Sequence, residues 1–353
     1  MEKPLVLVTG ASGFIGSHCM LALLSSGRFR VRGTVREVGS AKTSHLSSHP
    51  VLRDASLFAA DLLSDEGWDA AVDGCDYLLH VASPFPIGAV PKGSLVKPAV
   101  EGTERVLRAA ARAGSVRRVV LTSSVVAVSG GRADDDVEEK VFDETSWSDA
   151  DRQDEYGKSK TLAERKAWAL AEELKLDLVT INPSYVLGPV LSKRDDSSSL
   201  TMVKRLLNGD MPAVPKLWVT AVDVRDVAAA HMAALDLPPP AQPAEQRRYI
   251  LDNGKPLWMT EVAAALRGEF KPRGYAVPRF RAPYILVALF GLWDKDAAAV
   301  RSSIGVKVTS YDPSRAKQLL GRSLRTFEES LQEMAESLVE AGMVTPAKGK
   351  AEP

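Results

Sequence analysis

The chain is poor in the features that most often betray a function. Two cysteines in 353 residues, Cys19 and Cys75, cannot build a disulfide framework and read as plain thiols. Charge of one sign is not in excess. With 45 Lys plus Arg against 45 Asp plus Glu, the formal net charge is zero, which removes the electrostatic case for nucleic acid or an anionic membrane as partner. No apolar run reaches the roughly 20 residues of a membrane-spanning helix. The longest, Tyr284–Trp293, is interrupted near its end by Gly291 and reads as a core or pocket-lining helix. His18, His45, His49, His80 and His231 lack Cys or carboxylate neighbours at ligand spacing, so no metal is expected. Met1-Glu2-Lys3-Pro4 enters an apolar strand without a basic region or cleavage site, and a cytoplasmic protein is the expectation. A composition of 45% hydrophobic and 25% charged residues is that of an ordinary globular chain.

What is present is a glycine pattern in the right surroundings. Val6-Leu7-Val8-Thr9-Gly10-Ala11-Ser12-Gly13-Phe14-Ile15-Gly16 carries a buried strand through three glycines at three-residue spacing and into a helix. Gly10 permits a tight turn, Gly13 lets the backbone approach a pyrophosphate, and Gly16 lets the helix pack closely on the strand. The N–H groups of the helix start attract the anion.

From Leu5 to about Ser184, strands at Leu5–Thr9, Arg30–Arg36, Leu57–Ala60, Tyr77–Ala82, Val119–Ser123 and Leu178–Asn182 alternate with helices near Phe14–Ser26, Asp65–Val72, Leu95–Ala113 and Gly157–Leu174. Near-continuous apolar strands between helices imply an α/β, Rossmann-type doubly wound parallel sheet. The expected division is a dinucleotide-binding domain over 1–185, a smaller substrate lobe over 186–345 and a frayed tail over 346–353. Strand-and-helix patterns around 217–236 and 247–254 are expected to re-enter the sheet. Asp134–Lys140 reads as a charged loop and Leu237–Gln246 as a proline-rich one.

In such folds the residue ending the second strand meets the adenosine ribose, an acid for a free 2′-hydroxyl and a base for a 2′-phosphate. Arg36 stands there with Lys42 soon after, which favours NADP over NAD. The neighbouring Glu37, and a merely solvated Arg36, are the alternatives. Asp61-Leu62 is placed to meet the adenine, and Val81-Ala82-Ser83-Pro84 to let the backbone approach the cofactor. His80 reads as a core histidine.

Tyr156 and Lys160 are four residues apart and share a helix face. A tyrosine of ordinary pKa near 10 is a poor proton carrier at pH 7, and an adjacent ammonium favours its phenolate. Thr122-Ser123-Ser124 ends the preceding strand, where Ser124 can hydrogen-bond a substrate oxygen beside Tyr156. A serine hydrolase is disfavoured because Ser124 lacks an elbow of glycines.

Together these motifs, with Asn182-Pro183-Ser184-Tyr185-Val186-Leu187-Gly188-Pro189, resemble the extended short-chain dehydrogenase/reductases, and within them the dihydroflavonol reductase and cinnamoyl-CoA reductase branch. The resemblance is strong over residues 4–235 and looser beyond, where Arg248-Tyr249-Ile250-Leu251 is similar to a later strand of the family. It implies a Ser124, Tyr156, Lys160 triad, an Arg36 and Lys42 pair for the 2′-phosphate, Pro183-Ser184 beside the nicotinamide, and NADPH-dependent reduction of an aldehyde or ketone. Ser129 departs from the Asn or Asp usual in dihydroflavonol reductases, and Thr201 with Lys204 from the His and Lys of cinnamoyl-CoA reductases. Phe85, Ser129, Tyr185 and the stretch 200–206 are the expected substrate contacts. The rival readings are a secondary-alcohol or hydroxysteroid dehydrogenase, a sugar-nucleotide epimerase on the same fold, and a non-catalytic NADP(H)-sensing protein.

Overall fold

The computed structural model describes residues 2–84, 94–131, 140–195, 197–239, 247–285, 287 and 308–347. Phe85, most of the 134–140 loop, the end of the proline-rich segment, most of Tyr284–Trp293 and the tail from 348 lie outside the described residues.

The first half alternates β1 (Leu5–Val8), α1 (Phe14–Ser25), β2 (Arg30–Val35), α2 (Ser44–Ser48), β3 (Ser56–Ala59), α3 (Trp68–Val72), β4 (Tyr77–His80), α4 (Val96–Ala113), β5 (Arg118–Thr122) and α5 (Val126–Ser129). There follow β6 (Lys140–Phe142), α6 (Glu155–Leu174), β7 (Leu178–Pro183), β8 (Tyr185–Leu187), α7 (Ser198–Asn208), β9 (Trp218–Val219), β10 (Ala221–Asp223) and α8 (Val224–Ala234). The remaining elements are β11 (Arg248–Leu251), β12 (Leu257–Trp258), α9 (Met259–Phe270), β13 (Thr309–Tyr311) and two helices, Ser314–Leu320 and Phe327–Glu340.

Seven strands form one parallel sheet in the order β11-β7-β5-β4-β1-β2-β3. Chain order reverses between β1 and β4, which is where a crevice opens at the carboxyl ends of such a sheet. Alternate residues of each strand serve opposite faces. Val6, Val8, Leu79, Val120 and Val179 pack with α1 and α8, whereas Leu5, Leu7, Leu78, Val119 and Leu178 pack with α3, α4 and α6. Both faces are thereby covered, which explains why the strands read as unbroken apolar runs.

A second core, built on Leu200, Val203, Leu206, Val262, Leu266, Phe270, Leu331 and Met334, unites α7, α9 and the helix Phe327–Glu340 as the C-terminal lobe. β11 pairs in parallel with β7 at the edge of the sheet. The expected re-entry into the sheet is corrected for 217–223. There β10 pairs with β8 outside the seven-stranded sheet, because β11 already occupies the edge of β7, and it is α8 that returns to the sheet's α1 face. Asp226 on α8 is fully buried and ties that layer to the lobe, accepting from Arg322 Nη2 (2.7 Å), Arg325 Nη1 (2.5 Å) and the Arg325 amide (2.7 Å).

The glycine loop sits at the β1 end with little room to spare. A Cβ on Gly16 would stand 2.2 Å from the Gly10 carbonyl oxygen, and one on Gly10, whose φ is +66°, would stand 3.0 Å from Ala82 Cα. Gly16→Ala therefore requires the loop or helix α1 to shift. It is expected to destabilise the protein by ~1–3 kcal/mol, read as a lower urea midpoint with an unchanged m-value.

Candidate active site

The carboxyl ends of β1, β2, β4, β5 and β7 line a groove of 2280 Å³ shared with the C-terminal lobe. That exceeds the roughly 300–1,000 Å³ of a site for one drug-sized molecule and leaves room for a dinucleotide and a second compound. Gly10, Ser12, Gly13, Phe14, Ile15, Gly16, Arg36, Lys42, Asp61, Leu62, Val81, Ala82, Ser83, Ser124, Tyr156, Lys160, Pro183, Ser184 and Tyr185 all line it.

At one end the glycine loop is a cradle that side chains would fill. Gly13 is the N-cap of α1 and supplies no side chain to its first amides, which are left for an anion. The loop is pinned from below: the Gly10 amide donates to Thr34 Oγ1 (3.3 Å) and the Ala11 amide to the Thr34 carbonyl (3.0 Å). Thr9 Oγ1 accepts from the amides of Val81 and Ala82, both at 3.0 Å, and meets His80 Nδ1 at 2.9 Å. Thr9 thus fixes the crevice floor, a role that its place inside an apolar strand did not advertise. These features fit a dinucleotide. Arg36 and Lys42 are exposed beside the loop, and Asp61 Oδ1 accepts from the Leu63 amide (2.9 Å) at the far wall.

At the other end stand Ser124, just past β5, and Tyr156 and Lys160 on α6. Asp154 caps α6 by accepting from the Gly157 amide (2.7 Å), so the helix begins where Tyr156 must face the groove. The Ser124 hydroxyl stands by the Tyr156 phenol, with its Oγ 3.5 Å from the Pro183 carbonyl oxygen and accepting from the Val126 amide at 3.3 Å. Desolvation pushes Tyr156 up to about 12, with Ser124 opposing it. Desolvation is thus the largest influence on Tyr156. Lys160 is itself buried and is lowered to about 8 by desolvation, with Glu164 pulling it back up.

Glu164 was not singled out in the sequence, although it lies one turn past Lys160 on the same helix. Its carboxylate accepts from the Ser123 hydroxyl, from Asn182 Nδ2 at 2.8 Å and from Arg248 Nε at 2.7 Å. Asn182 Nδ2 also donates to the Ser124 carbonyl (3.2 Å), so the serine's backbone and the lysine's helix hang from one buried group. Arg248 donates to the carbonyls of Glu144 (2.7 Å) and Ser146 (2.6 Å), and its guanidinium lies 3.9 Å over the Trp147 ring.

His80 is buried and lowered to about 3 by desolvation and by Lys160, a neutral core histidine as read from the sequence. Ser129 is not among the described residues lining the groove, because the turn of α5 aims its hydroxyl at the buried Tyr311 hydroxyl, 2.7 Å away. The apolar wall near Tyr185 is furnished instead by Met202, Met211, Leu217 and Met259. Among the described residues no cluster of His, Cys, Asp and Glu is set to hold a metal, and no helix is long and apolar enough to cross a membrane.

A family model described as the NAD dependent epimerase/dehydratase family matches residues 6–246. Cinnamoyl-CoA reductase 2 of Arabidopsis thaliana is 38% identical over 256 residues, covering 71% of this chain and 73% of that protein. Dihydroflavonol 4-reductase of Zea mays is 36% identical over 292 residues, covering 79% and 77%. Among solved structures, the yeast methylglyoxal/isovaleraldehyde reductase complexed with NADPH superposes with a TM-score of 0.74 at 27% identity, over 96% of this chain and 100% of that one.

The Lys160 environment makes a direct prediction. An NMR titration of the Lys160 side chain should show a midpoint near 8, the ammonium being present below it and lost as pH rises through it. Glu164→Gln removes the charge that raises Lys160, so the midpoint should move to lower pH; an unmoved midpoint would show that Glu164 does not act on Lys160.

Proposed function

Because the chain belongs to the NAD dependent epimerase/dehydratase family, the extended short-chain dehydrogenase/reductases, we propose that it is an NADPH-dependent reductase turning an aldehyde or ketone into the alcohol. The observation that carries this reading is the half-buried Tyr156 phenol standing in the same groove as Ser124, Lys160 and the glycine cradle, one turn before Lys160. A reductase needs a proton donor at that point, and a phenol beside an ammonium is a group that can give its proton and bear the charge left behind. The relatives named as reductases and the solved reductase holding NADPH support the same reading.

Bound NADPH supplies the hydride that is added to the carbonyl carbon. The chain's own residues do the rest. Gly10, Gly13 and Gly16 with the amides opening α1 hold the pyrophosphate, and Arg36 and Lys42 pair with the 2′-phosphate. Ser124 donates a hydrogen bond to the carbonyl oxygen, polarising the bond, while Tyr156 gives that oxygen its proton. Lys160 holds positive charge beside the proton donor and steadies the developing phenolate. The methionines and Tyr185 form an adaptable apolar wall suited to an aromatic or medium-length carbonyl compound. A cytoplasmic setting completes the proposal, supported by two buried free thiols, Cys19 and Cys75, both raised by burial.

The test is oxidation of NADPH by purified protein against aliphatic and aromatic aldehydes, ketones, dihydroflavonols and hydroxycinnamoyl-CoA esters. Tyr156→Phe should lower kcat by roughly 10²–10⁴ while NADPH binding is retained; near-normal turnover would remove Tyr156 from the mechanism. Arg36→Ala should weaken NADPH far more than NADH, and equal weakening of both would refute the 2′-phosphate assignment.

A further inference from the structure

Ser124 and the helix that carries Tyr156 and Lys160 are joined by a short run of hydrogen bonds, and one side chain bridges its middle. Ser124 Oγ accepts from the Val126 amide (3.3 Å). The Val126 carbonyl, at the start of α5, accepts in turn from Gln153 Nε2 (2.6 Å) and from Ser148 Oγ (2.6 Å). Gln153 Oε1 accepts from Thr161 Oγ1 (2.7 Å), and Thr161 directly follows Lys160 on α6. One primary amide therefore meets the turn after Ser124 with its donor end and the helix of Tyr156 and Lys160 with its acceptor end.

The room for that amide is left by a glycine on each side. Gly130 ends α5 and Gly157 lies in the first turn of α6. A Cβ on Gly130 would collide with Gln153 Nε2, and one on Gly157 would stand 2.8 Å from the same atom. Thr161 is fully buried, so its hydroxyl is answered by Gln153 in place of water. Gln153 lies outside the helix it holds, one residue before the Asp154 cap. A carboxylate at 153 would offer the Val126 carbonyl no donor, and an asparagine would be a methylene shorter.

We propose that Gln153 is a positioning residue for the reduction, an amide strut that sets the Ser124 hydroxyl at its working distance from the Tyr156 phenol. Val126 lines the groove, whereas Gln153 is not among the described residues that do, so it acts through the residues it holds. The inference rests on the reductase reading above.

Steady-state kinetics with NADPH and the best carbonyl compound of the panel, calorimetric titration with NADPH and thermal melting test this on the full chain. Gln153→Met keeps the length of the side chain and removes both bonds, so kcat should fall by roughly 10–100-fold while the substrate KM and the NADPH Kd stay within about twofold. Thr161→Val removes the hydroxyl alone and should lower kcat by part of that amount; the double variant should lose no more than Gln153→Met, since the two changes act through one bond. Thr161→Ser leaves a methyl-sized gap that lowers Tm but keeps the hydroxyl, and its kcat should stay near that of the parent chain. An unchanged kcat in Gln153→Met, or a kcat that follows Tm across the variants instead of the hydroxyl at 161, would overturn the positioning role. If Gln153→Met does not fold, equal kcat values for Thr161→Val and Thr161→Ser overturn it alone. A parent chain with no NADPH-dependent turnover, or full turnover in Tyr156→Phe, would instead overturn the reductase reading beneath it.

Discussion

The carboxylate of Glu164 is wholly buried, and its neighbours are arranged around that fact. Removing such a group from water costs several kcal/mol, and the cost is offset only where partners converge with good geometry. Here the partners come from Ser123 after β5, Thr180 and Asn182 of β7, Trp168 of α6 and Arg248 of β11. Three neighbouring strands and a helix are thus locked in register by one side chain, and the lock lies directly behind Ser124 and Lys160. Residues proposed to act together on two separate segments, Ser124 after β5 and Tyr156 with Lys160 on α6, must hold their spacing to a fraction of an ångström, and this buried network supports it.

Burial also settles the protonation states around the crevice. His18, His80 and His231 are lowered to about 4, 3 and 4, chiefly by desolvation, so each stays neutral at physiological pH. Each is satisfied by a specific neighbour: Pro189 carbonyl for His18, Thr9 for His80, Thr122 and the Val227 carbonyl for His231. Neutral imidazoles in these places join strand ends without adding charge next to Lys160. The same desolvation holds Tyr156 as an acid and leaves Lys160 as the group nearest to titrating.

The glycine loop, the alternation of strands and helices and the Ser124, Tyr156, Lys160 spacing were legible in the sequence because they are local patterns with a fixed period. The parallel order followed from strands that are apolar throughout. What escaped was set by distant partners. A glutamate four residues past Lys160 reads as solvent-facing until Arg248, 84 positions away, is seen against it. Ser129 reads as a substrate contact until Tyr311, 182 positions away, claims its hydroxyl. The rise of Tyr156 was hidden for a related reason. A sequence displays the neighbouring ammonium but not the exclusion of water that raises Tyr156.

Asp226 gives the two lobes a shared fate. Its carboxylate lies in the layer that covers the sheet, yet the cations answering it, Arg322 and Arg325, precede the last helix of the other lobe. A chain released from synthesis before residue 322 would carry that acid into its nucleotide-binding half with no counter-charge, a defect of about 3–5 kcal/mol. The half that looks self-sufficient by topology therefore depends on the C-terminal segment for the cations that answer Asp226.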